Sequence, residues 1–193
     1  MRALAAVRKR PVRATNRYKD IVLERQRDQT FRDWLHGHQG ILFKVVHAYA
    51  FTVADREDLF QEIALQVWCS VDAFRGESAV ATWLYRVALN TAIAWNRKEK
   101  RHQHGKEPIE AADALLETAL PGRDPRLDWI YAQIAQLDEV ERSLALLMLD
   151  GFSYREMASI LGITENYVGV KISRIKMALA GKLAAEALHH ESR

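Results

Sequence analysis

The sequence predicts an all-α protein composed of two small helical domains joined by a flexible linker. Apolar residues recur at spacings of three and four along most of the chain, as they do on one face of a helix. This pattern fades between residues 102 and 126, where three of the four prolines and several acidic residues cluster. Capping residues and glycines then punctuate residues 127–183. We therefore expect an N-terminal helical bundle, a linker and a C-terminal four-helix domain.

Composition places the chain among globular proteins. Of its 193 residues, 49% are hydrophobic, which is enough for packed cores. Since Cys69 is the only cysteine, an internal disulfide is excluded, and its position in an apolar helical pattern predicts a buried side chain. No window approaches the roughly 18 uninterrupted apolar residues that a membrane span needs. We therefore expect a cytoplasmic protein with no direct membrane insertion.

The first 19 residues form a basic arm. They carry seven of the 28 Lys and Arg residues and none of the 25 acidic ones. An arm of this composition is expected to be disordered and could contact nucleic acid without sequence preference. An organelle transit peptide is the alternative, but Pro11 interrupts the segment and serine is scarce.

Residues 20–101 read as the first domain, beginning with two helices joined near Gly37 and Gly40. A further helix over residues 54–71 has an apolar face and a second face on which acidic and apolar residues mix. The second face contains Asp58, Gln61, Glu62 and Leu65. It fits either a solvated surface or a protein interface in which charges set the register.

The last part of this domain, residues 74–101, is a glycine-containing loop followed by one long helix. Trp83, Arg86, Asn90 and Arg97 share one face of that helix, beside an apolar stripe. Cations neutralise phosphates, an indole stacks on unpaired bases, and an amide can bond a base edge. The face therefore predicts contact with single-stranded nucleic acid. In the alternative interpretation, Trp83 belongs to the hydrophobic core and the basic residues form a solvated helix end.

Residues 127–183 read as a second domain containing a helix-turn-helix, followed by a C-terminal tail at 184–193. Three side chains suited to N-capping precede its helices: Asp138, Ser153 and Thr164. Gly162 supplies the turn between two short helices. On the second of these, the predicted DNA-facing residues are Glu165, Asn166, Tyr167, Lys171 and Arg174. Lys171 and Arg174 are the strongest candidates for DNA contacts.

Several motifs resemble those of extracytoplasmic-function (ECF) sigma factors of bacterial RNA polymerase. FRGES at residues 74–78 and TWLYR at 82–86 resemble the promoter-melting region of that family. DLFQE at residues 58–62 is similar to the motif that docks on core RNA polymerase. GFSYREMA at 151–158 and LGITE at 161–165 resemble the upstream-promoter-binding domain. The resemblance covers about residues 34–183.

The resemblance implies a sigma factor that binds core RNA polymerase and promoter DNA, with an anti-sigma factor, soluble or membrane-bound, as a further partner. It assigns core-polymerase binding to Asp58, Gln61 and Glu62. It assigns single-strand promoter contacts to Arg75, Trp83, Arg86, Asn90 and Arg97. Duplex contacts fall on the outward face of the helix-turn-helix. One departure is Gly169-Val170, where relatives often carry a cation; there we expect a weaker helix and one positive charge fewer.

Catalysis, metals and cofactors are not expected. Asp58 and Glu62 have no neighbouring nucleophile or pocket signature. Three histidine pairs occur, but a structural zinc usually needs four ligands that include cysteine: His36 with His38, His102 with His104, and His189 with His190. The alternative function is a stand-alone helix-turn-helix regulator that binds duplex operators. A helical interaction scaffold, which would show no salt-dependent DNA affinity, is a third possibility.

Overall fold

A computed structural model describes the backbone of residues 14–103 and 125–191, and the side chains of residues 21–98 and 126–183. These residues form seven α-helices and one 3-10 turn, and no strand occurs among them. The helices are α1 (Ala14–Tyr49), α2 (Val53–Ser70), α3 (Val80–Gln103), α4 (Pro125–Ala135), α5 (Glu139–Leu149), α6 (Tyr154–Leu161) and α7 (Glu165–Glu191), with the 3-10 turn at Val71–Ala73. The predicted all-α class, in two helical regions, is confirmed.

Helices α1, α2 and α3 pack against one another as the N-terminal bundle. Their shared core consists of side chains removed from water, among them Leu42, Leu59 and Leu84. Helix α1 is interrupted at His38, whose φ of −131° and ψ of 19° are non-helical. The predicted break near Gly37 and Gly40 therefore appears as a kink between two helical segments.

Helices α4 to α7 form the C-terminal domain, and its local signals act as predicted. The Asp138 side chain accepts a hydrogen bond from the Glu141 N–H at the start of α5. Ser153 and Glu156 form a reciprocal capping box at α6. Gly162 ends α6 with a φ of 68°, a left-handed conformation that favours glycine. These features produce the predicted helix-turn-helix of α6 and α7.

Several segments differ from the sequence expectations. Helix α1 begins at Ala14, so residues 14–19 of the predicted disordered arm are helical, and residues 1–13 lie outside the described part. Most of the predicted linker, residues 104–124, also lies outside it. Helix α7 continues to Glu191, through most of the predicted tail. Cys69 is exposed rather than buried, because it stands about 200° around α2 from the buried Val67.

The two domains pack on each other, which the sequence did not predict. Helix α3 lies against α6, and α1 lies against α4 and α5. Tyr49 of α1 and Tyr85 of α3 are almost fully buried, and one continuous hydrophobic core spans both domains. The Tyr85 ring meets Phe152 edge-on at 5.2 Å between centroids. Two tyrosines to which the sequence analysis assigned no role therefore lie at the contact between the domains.

Candidate polymerase and nucleic-acid interfaces

The predicted polymerase-binding residues share the outer face of α2. Asp58, Gln61 and Glu62 are all exposed, while the neighbouring Leu59 is fully buried and fixes the orientation of the helix. Leu65 lies between them on the same face and is 52% exposed. One exposed leucine framed by acidic side chains fits a protein-binding surface with a polar rim, and it fits a solvated helix face equally well. We call this surface the α2 face.

An aromatic pair flanks the α2 face and was not singled out from the sequence. Phe43 of α1 stacks on Phe60 of α2 with centroids 5.6 Å apart, and Phe43 remains 48% exposed. Phe60 lies inside the DLFQE motif, so the sequence contained a signal for half of the pair. Phe43 lacks such a signal, because only the packing of α1 on α2 brings it there.

Next to the α2 face, α2 forms a groove with α3. The groove has a volume of about 430 Å³, and its lining includes Glu62, Asn90, Trp95 and Lys98. A predicted polymerase contact, Glu62, therefore lies beside a predicted strand contact, Asn90. The amide, the indole and the ammonium group could respectively bond a base edge, stack on a base and neutralise a phosphate. Trp95 and Lys98 had not been assigned to the site from the sequence.

Trp83 lies in an aromatic cluster at the start of α3. Its ring is 5.3 Å from that of Trp34 and 5.5 Å from that of Phe74, in edge-on geometries that stabilise aromatic pairs. The side chain is half-buried. Trp83 therefore packs α3 against α1 and leaves part of its indole accessible, whereas Arg75 is exposed in the loop before α3.

Two of the predicted strand contacts are bound by the C-terminal domain. The Arg86 guanidinium donates to the carbonyl and the hydroxyl of Ser159, at 2.9 and 3.1 Å. Arg97 Nε lies 3.2 Å from a carboxylate oxygen of Glu139. Both arginines nevertheless remain exposed, as does Asn90, which lines the groove between α2 and α3.

The helix-turn-helix presents a polar surface on α7. Glu165, Asn166, Tyr167 and Arg174 are exposed, as predicted for residues that face duplex DNA. Glu165, Asn166 and Arg174 line a shallow groove of about 700 Å³ between α6 and α7. The Tyr154 ring also borders this groove, and it covers Gly169, because a Cβ built there would lie 3.7 Å from the ring.

Lys171 lies apart from this surface. Its ammonium group donates to Glu141 at 2.8 Å and to Asp138 at 3.2 Å, and its side chain is only 16% exposed. The hydrogen bond to Glu141 is the main reason why the pKa of Lys171 is raised. Lys171 therefore ties α7 to the start of α5. The position of Lys171 on the helix explains why its side chain turns inward: it directly precedes the buried Ile172 and lies at the edge of the buried stripe of α7.

The domain contact contains two buried tyrosines and a buried arginine. Burial raises the pKa of Tyr49 to about 12, and burial with the hydrogen bond to Asp150 raises that of Tyr85 further. Arg142 is 7% exposed, and its guanidinium lies 5.0 Å from the centroid of the Tyr49 ring. Burial lowers the pKa of Arg142. These polar groups were not assigned a role from the sequence.

No metal-binding group emerges from the described residues, since no three His, Cys, Asp or Glu side chains converge there. Of the predicted histidine pairs, only His36 and His38 fall within the part whose side chains are described. A search of the described helices likewise finds none with the length and apolar character to cross a membrane.

Two family models match the chain in sequence order. Residues 25–102 match Sigma-70 region 2, and residues 127–179 match Sigma-70, region 4. The chain is 31% identical over 141 residues to the ECF RNA polymerase sigma-E factor of Escherichia coli (strain K12), covering 67% of this chain and 74% of that protein. It is 28% identical over 156 residues to the RNA polymerase sigma-H factor of Pseudomonas aeruginosa, covering 75% of this chain and 79% of that protein.

Solved structures show the same fold. The sigma factor RpoE of Bartonella quintana, in complex with the anti-sigma factor NepR, superposes with a TM-score of 0.66 at 20% identity. That match covers 81% of this chain and 98% of RpoE. CnrH in complex with the cytosolic domain of CnrY gives a TM-score of 0.58 at 21% identity, covering 85% of this chain and 96% of the other. With both region models and a relative above 30% identity in agreement, this chain belongs to the ECF family of RNA polymerase sigma factors.

Proposed function

We propose that this protein binds core RNA polymerase through the α2 face, captures an unpaired promoter strand at the α2–α3 groove, and holds upstream duplex DNA with α7. The observation that carries the proposal is that Glu62 and Asn90 border one groove, so polymerase and strand contacts adjoin. Because the two contacts share this groove, binding of core RNA polymerase can be coupled to capture of the unpaired strand. The alternative, a stand-alone operator-binding regulator, gives no role to this groove.

The α2 face supports the polymerase contact by its composition. Its exposed Leu65 offers an apolar anchor, and the carboxylates of Asp58 and Glu62 offer charges that select a basic partner surface. The stacked Phe43 and Phe60 extend the apolar area beside it. We include Phe43 in the proposed interface.

The duplex contact is assigned to the N-terminal half of α7, the usual reading position of a helix-turn-helix. Asn166 can bond a base edge, and Arg174 can bond either a guanine or a phosphate. We assign Lys171 a stabilising role and no DNA contact, because the carboxylates of Asp138 and Glu141 bind its ammonium group.

The proposed mechanism is binding without catalysis and without a cofactor. We place the protein in the cytoplasm, where its polymerase partner acts. Both solved relatives were captured with an anti-sigma factor or with the cytosolic domain of a second protein. We therefore include an anti-sigma factor among the proposed partners.

Transcription in vitro tests the proposed function. Purified core RNA polymerase and this protein are combined on genomic promoter fragments, and initiation sites are mapped. A sigma factor supports initiation with core enzyme alone. A requirement for another sigma factor would favour the regulator instead.

Reversing the charges of Asp58 and Glu62 tests the α2 face. We expect Asp58→Lys with Glu62→Lys to weaken binding to core RNA polymerase by at least tenfold, roughly the effect of losing two interfacial charge contacts. Both side chains are exposed, so the circular dichroism spectrum should not change. Affinity is measured by pull-down and titration.

The matched control reverses Glu24 and Asp33, two exposed carboxylates on α1, and produces the same change in net charge. That control should bind core enzyme normally. Equal retention of core enzyme by the two double variants would remove the α2 face from the proposal.

Single substitutions at Lys171 and Arg174 should separate stability from DNA binding. We expect Lys171→Ala to lower the free energy of unfolding by about 1 kcal/mol, because it removes the link between α7 and α5. Arg174→Ala should leave stability within about 0.5 kcal/mol, and weaken duplex binding about tenfold with a shallower salt dependence. Thermal melts and DNA titrations at several salt concentrations measure both. An unchanged melting curve for Lys171→Ala combined with lost DNA affinity would show that Lys171 contacts DNA instead of stabilising the domain.

A further inference from the structure

Three exposed apolar side chains line the groove between α6 and α7. Tyr154 is 43% exposed, Val170 is 46% exposed and Met177 is 66% exposed. A single exposed apolar residue is normal on a protein surface and needs no explanation. These three share one groove with Asn166 and Arg174, which are assigned to duplex DNA. The surface that faces DNA therefore has an apolar part as well as a polar one.

Val170 lies in the middle of the outward face of α7. It stands four residues after Asn166 and four before Arg174, and side chains four apart lie one above the other on a helix. Each of these steps is about 6 Å along the helix axis, the length of roughly two base-pair steps. The neighbouring Val168 and Ile172 are fully buried on the other side of the helix. Val170 therefore lies between two proposed DNA contacts.

Gly169 allows the Tyr154 ring to lie close to the backbone of α7. A Cβ built at Gly169 would be 3.7 Å from the nearest ring carbon, an ordinary van der Waals distance, so alanine also fits there. Tyr154 is the first residue of α6, and its ring therefore bridges the start of α6 and the outward face of α7. The ring forms a wall of the groove that Val170 also lines.

The polar residues of this face match the edges of bases better than they match phosphates alone. Glu165 offers an acceptor for the amino group of cytosine, Asn166 a bidentate amide for adenine, and Arg174 paired donors for guanine. A surface that bound only phosphates would consist of cations, and the Glu165 carboxylate would oppose it. The major-groove group still without a counterpart is the C5-methyl group of thymine, which takes an apolar contact.

We propose that Val170, beside the Tyr154 ring, is a specificity-determining residue that contacts the C5-methyl group of a thymine in the upstream duplex. This inference rests on the proposed duplex-binding role of α7. Thymine carries a methyl group that the other three bases lack, so an isopropyl side chain distinguishes it without a hydrogen bond. A protein partner that covered Val170 would also bury Asn166 and Arg174, which favours DNA as the occupant of the groove.

Replacing thymine by deoxyuridine tests the contact, because the replacement removes only the methyl group. The probe is a promoter fragment on which this protein and core RNA polymerase initiate transcription. Each thymine of the upstream duplex is replaced singly, and formation of the closed complex is titrated with the reconstituted holoenzyme. We expect one of the replacements to weaken binding about fourfold, the effect of returning one methyl group to water.

Val170→Ala completes a double-mutant cycle with that replacement. Val170 is exposed and alanine is the better helix former, so the variant should fold. It should bind the thymine promoter about fourfold more weakly than the parent, and it should bind the thymine and deoxyuridine promoters equally. The matched control is Val53→Ala, which removes the same side chain from the exposed start of α2 and should behave as the parent does.

Substitutions at Tyr154 and Gly169 test the wall of the groove. Tyr154→Phe keeps the ring and should keep the preference for thymine over deoxyuridine, whereas Tyr154→Ala should reduce that preference about twofold. Gly169→Ala fits beside the ring and should keep the preference in a more stable helix. Equal preferences in Tyr154→Ala and Tyr154→Phe would remove the ring from the proposal.

Equal affinity of the parent for every deoxyuridine promoter would overturn the thymine contact, and a retained defect of Arg174→Ala would still support duplex binding by α7. A methyl effect that persists in Val170→Ala would assign the thymine to another residue. Parent affinity of Val170→Ala for the unmodified promoter would also overturn the role of Val170 and favour a protein partner for the apolar part of the groove. Failure of initiation on every promoter fragment would count against the proposed function itself, and against the thymine contact that rests on it.

Discussion

Trp83→Leu should lower the melting temperature of the protein substantially. The indole is edge-on to both Trp34 and Phe74, so a smaller aliphatic side chain loses two aromatic contacts and leaves a void. We expect a loss of about 2 kcal/mol in unfolding free energy, because the ring is half-buried rather than fully enclosed. For a chain of 193 residues with one continuous core, that loss corresponds to a decrease of about 4–8 °C in melting temperature, measured by calorimetry or circular dichroism.

Leu65→Ala is the control for the loss of an apolar side chain. Leu65 is 52% exposed on the α2 face, so its truncation should change the melting temperature little. A Trp83→Leu protein with the parent melting temperature and a selective defect in strand opening would contradict the packing role. It would favour stacking of the exposed part of Trp83 on a base instead.

Local signals made most of the fold predictable. The caps at Asp138, Ser153 and Thr164 act within three residues, so they can be recognised before the tertiary structure is known. The left-handed turn at Gly162 is local in the same sense. The helix-turn-helix was therefore predictable nearly to the residue.

Periodicity alone could not separate edge positions from exposed ones. Lys171 adjoins the buried stripe of α7, and only the carboxylates of α5 decide that its ammonium group turns inward. Those carboxylates lie about thirty residues earlier in the chain. The opposite happened at Cys69. Its apolar neighbours in the sequence predicted a buried side chain, but the side chain is exposed.

The contact between domains was beyond the reach of sequence patterns. Tyr49 and Tyr85 occupy positions that the N-terminal bundle could use for its own core, and nothing local marks their hydroxyl groups as contacts to Glu139 and Asp150. Such pairings join residues 65 or more apart. They also place Arg86 and Arg97 of α3 against Ser159 and Glu139 of the C-terminal domain.

Asn90 is the residue at which strand capture should be most separable from folding. It is exposed on α3 and borders the groove that contains Trp95 and Lys98. Alanine is the better helix former by roughly 0.5 kcal/mol, so Asn90→Ala should be at least as stable as the parent. Any loss of function would then report a missing contact with nucleic acid.

We expect Asn90→Ala to bind core RNA polymerase normally and to reduce promoter opening about tenfold, equivalent to one lost hydrogen-bonding side chain of about 1.4 kcal/mol. Permanganate reactivity of promoter thymines measures the opening. A template with a pre-melted bubble should restore most of the activity, because opening base pairs requires a few kcal/mol that the bubble supplies in advance.

Asn166→Ala on α7 is the matched control, since it removes the same side chain from the surface assigned to duplex DNA. Its defect should appear already in the closed complex and should persist on the bubble template. If Asn90→Ala were equally defective on both templates, Asn90 would act before strand separation. The groove would then belong to docking, together with its neighbour Glu62.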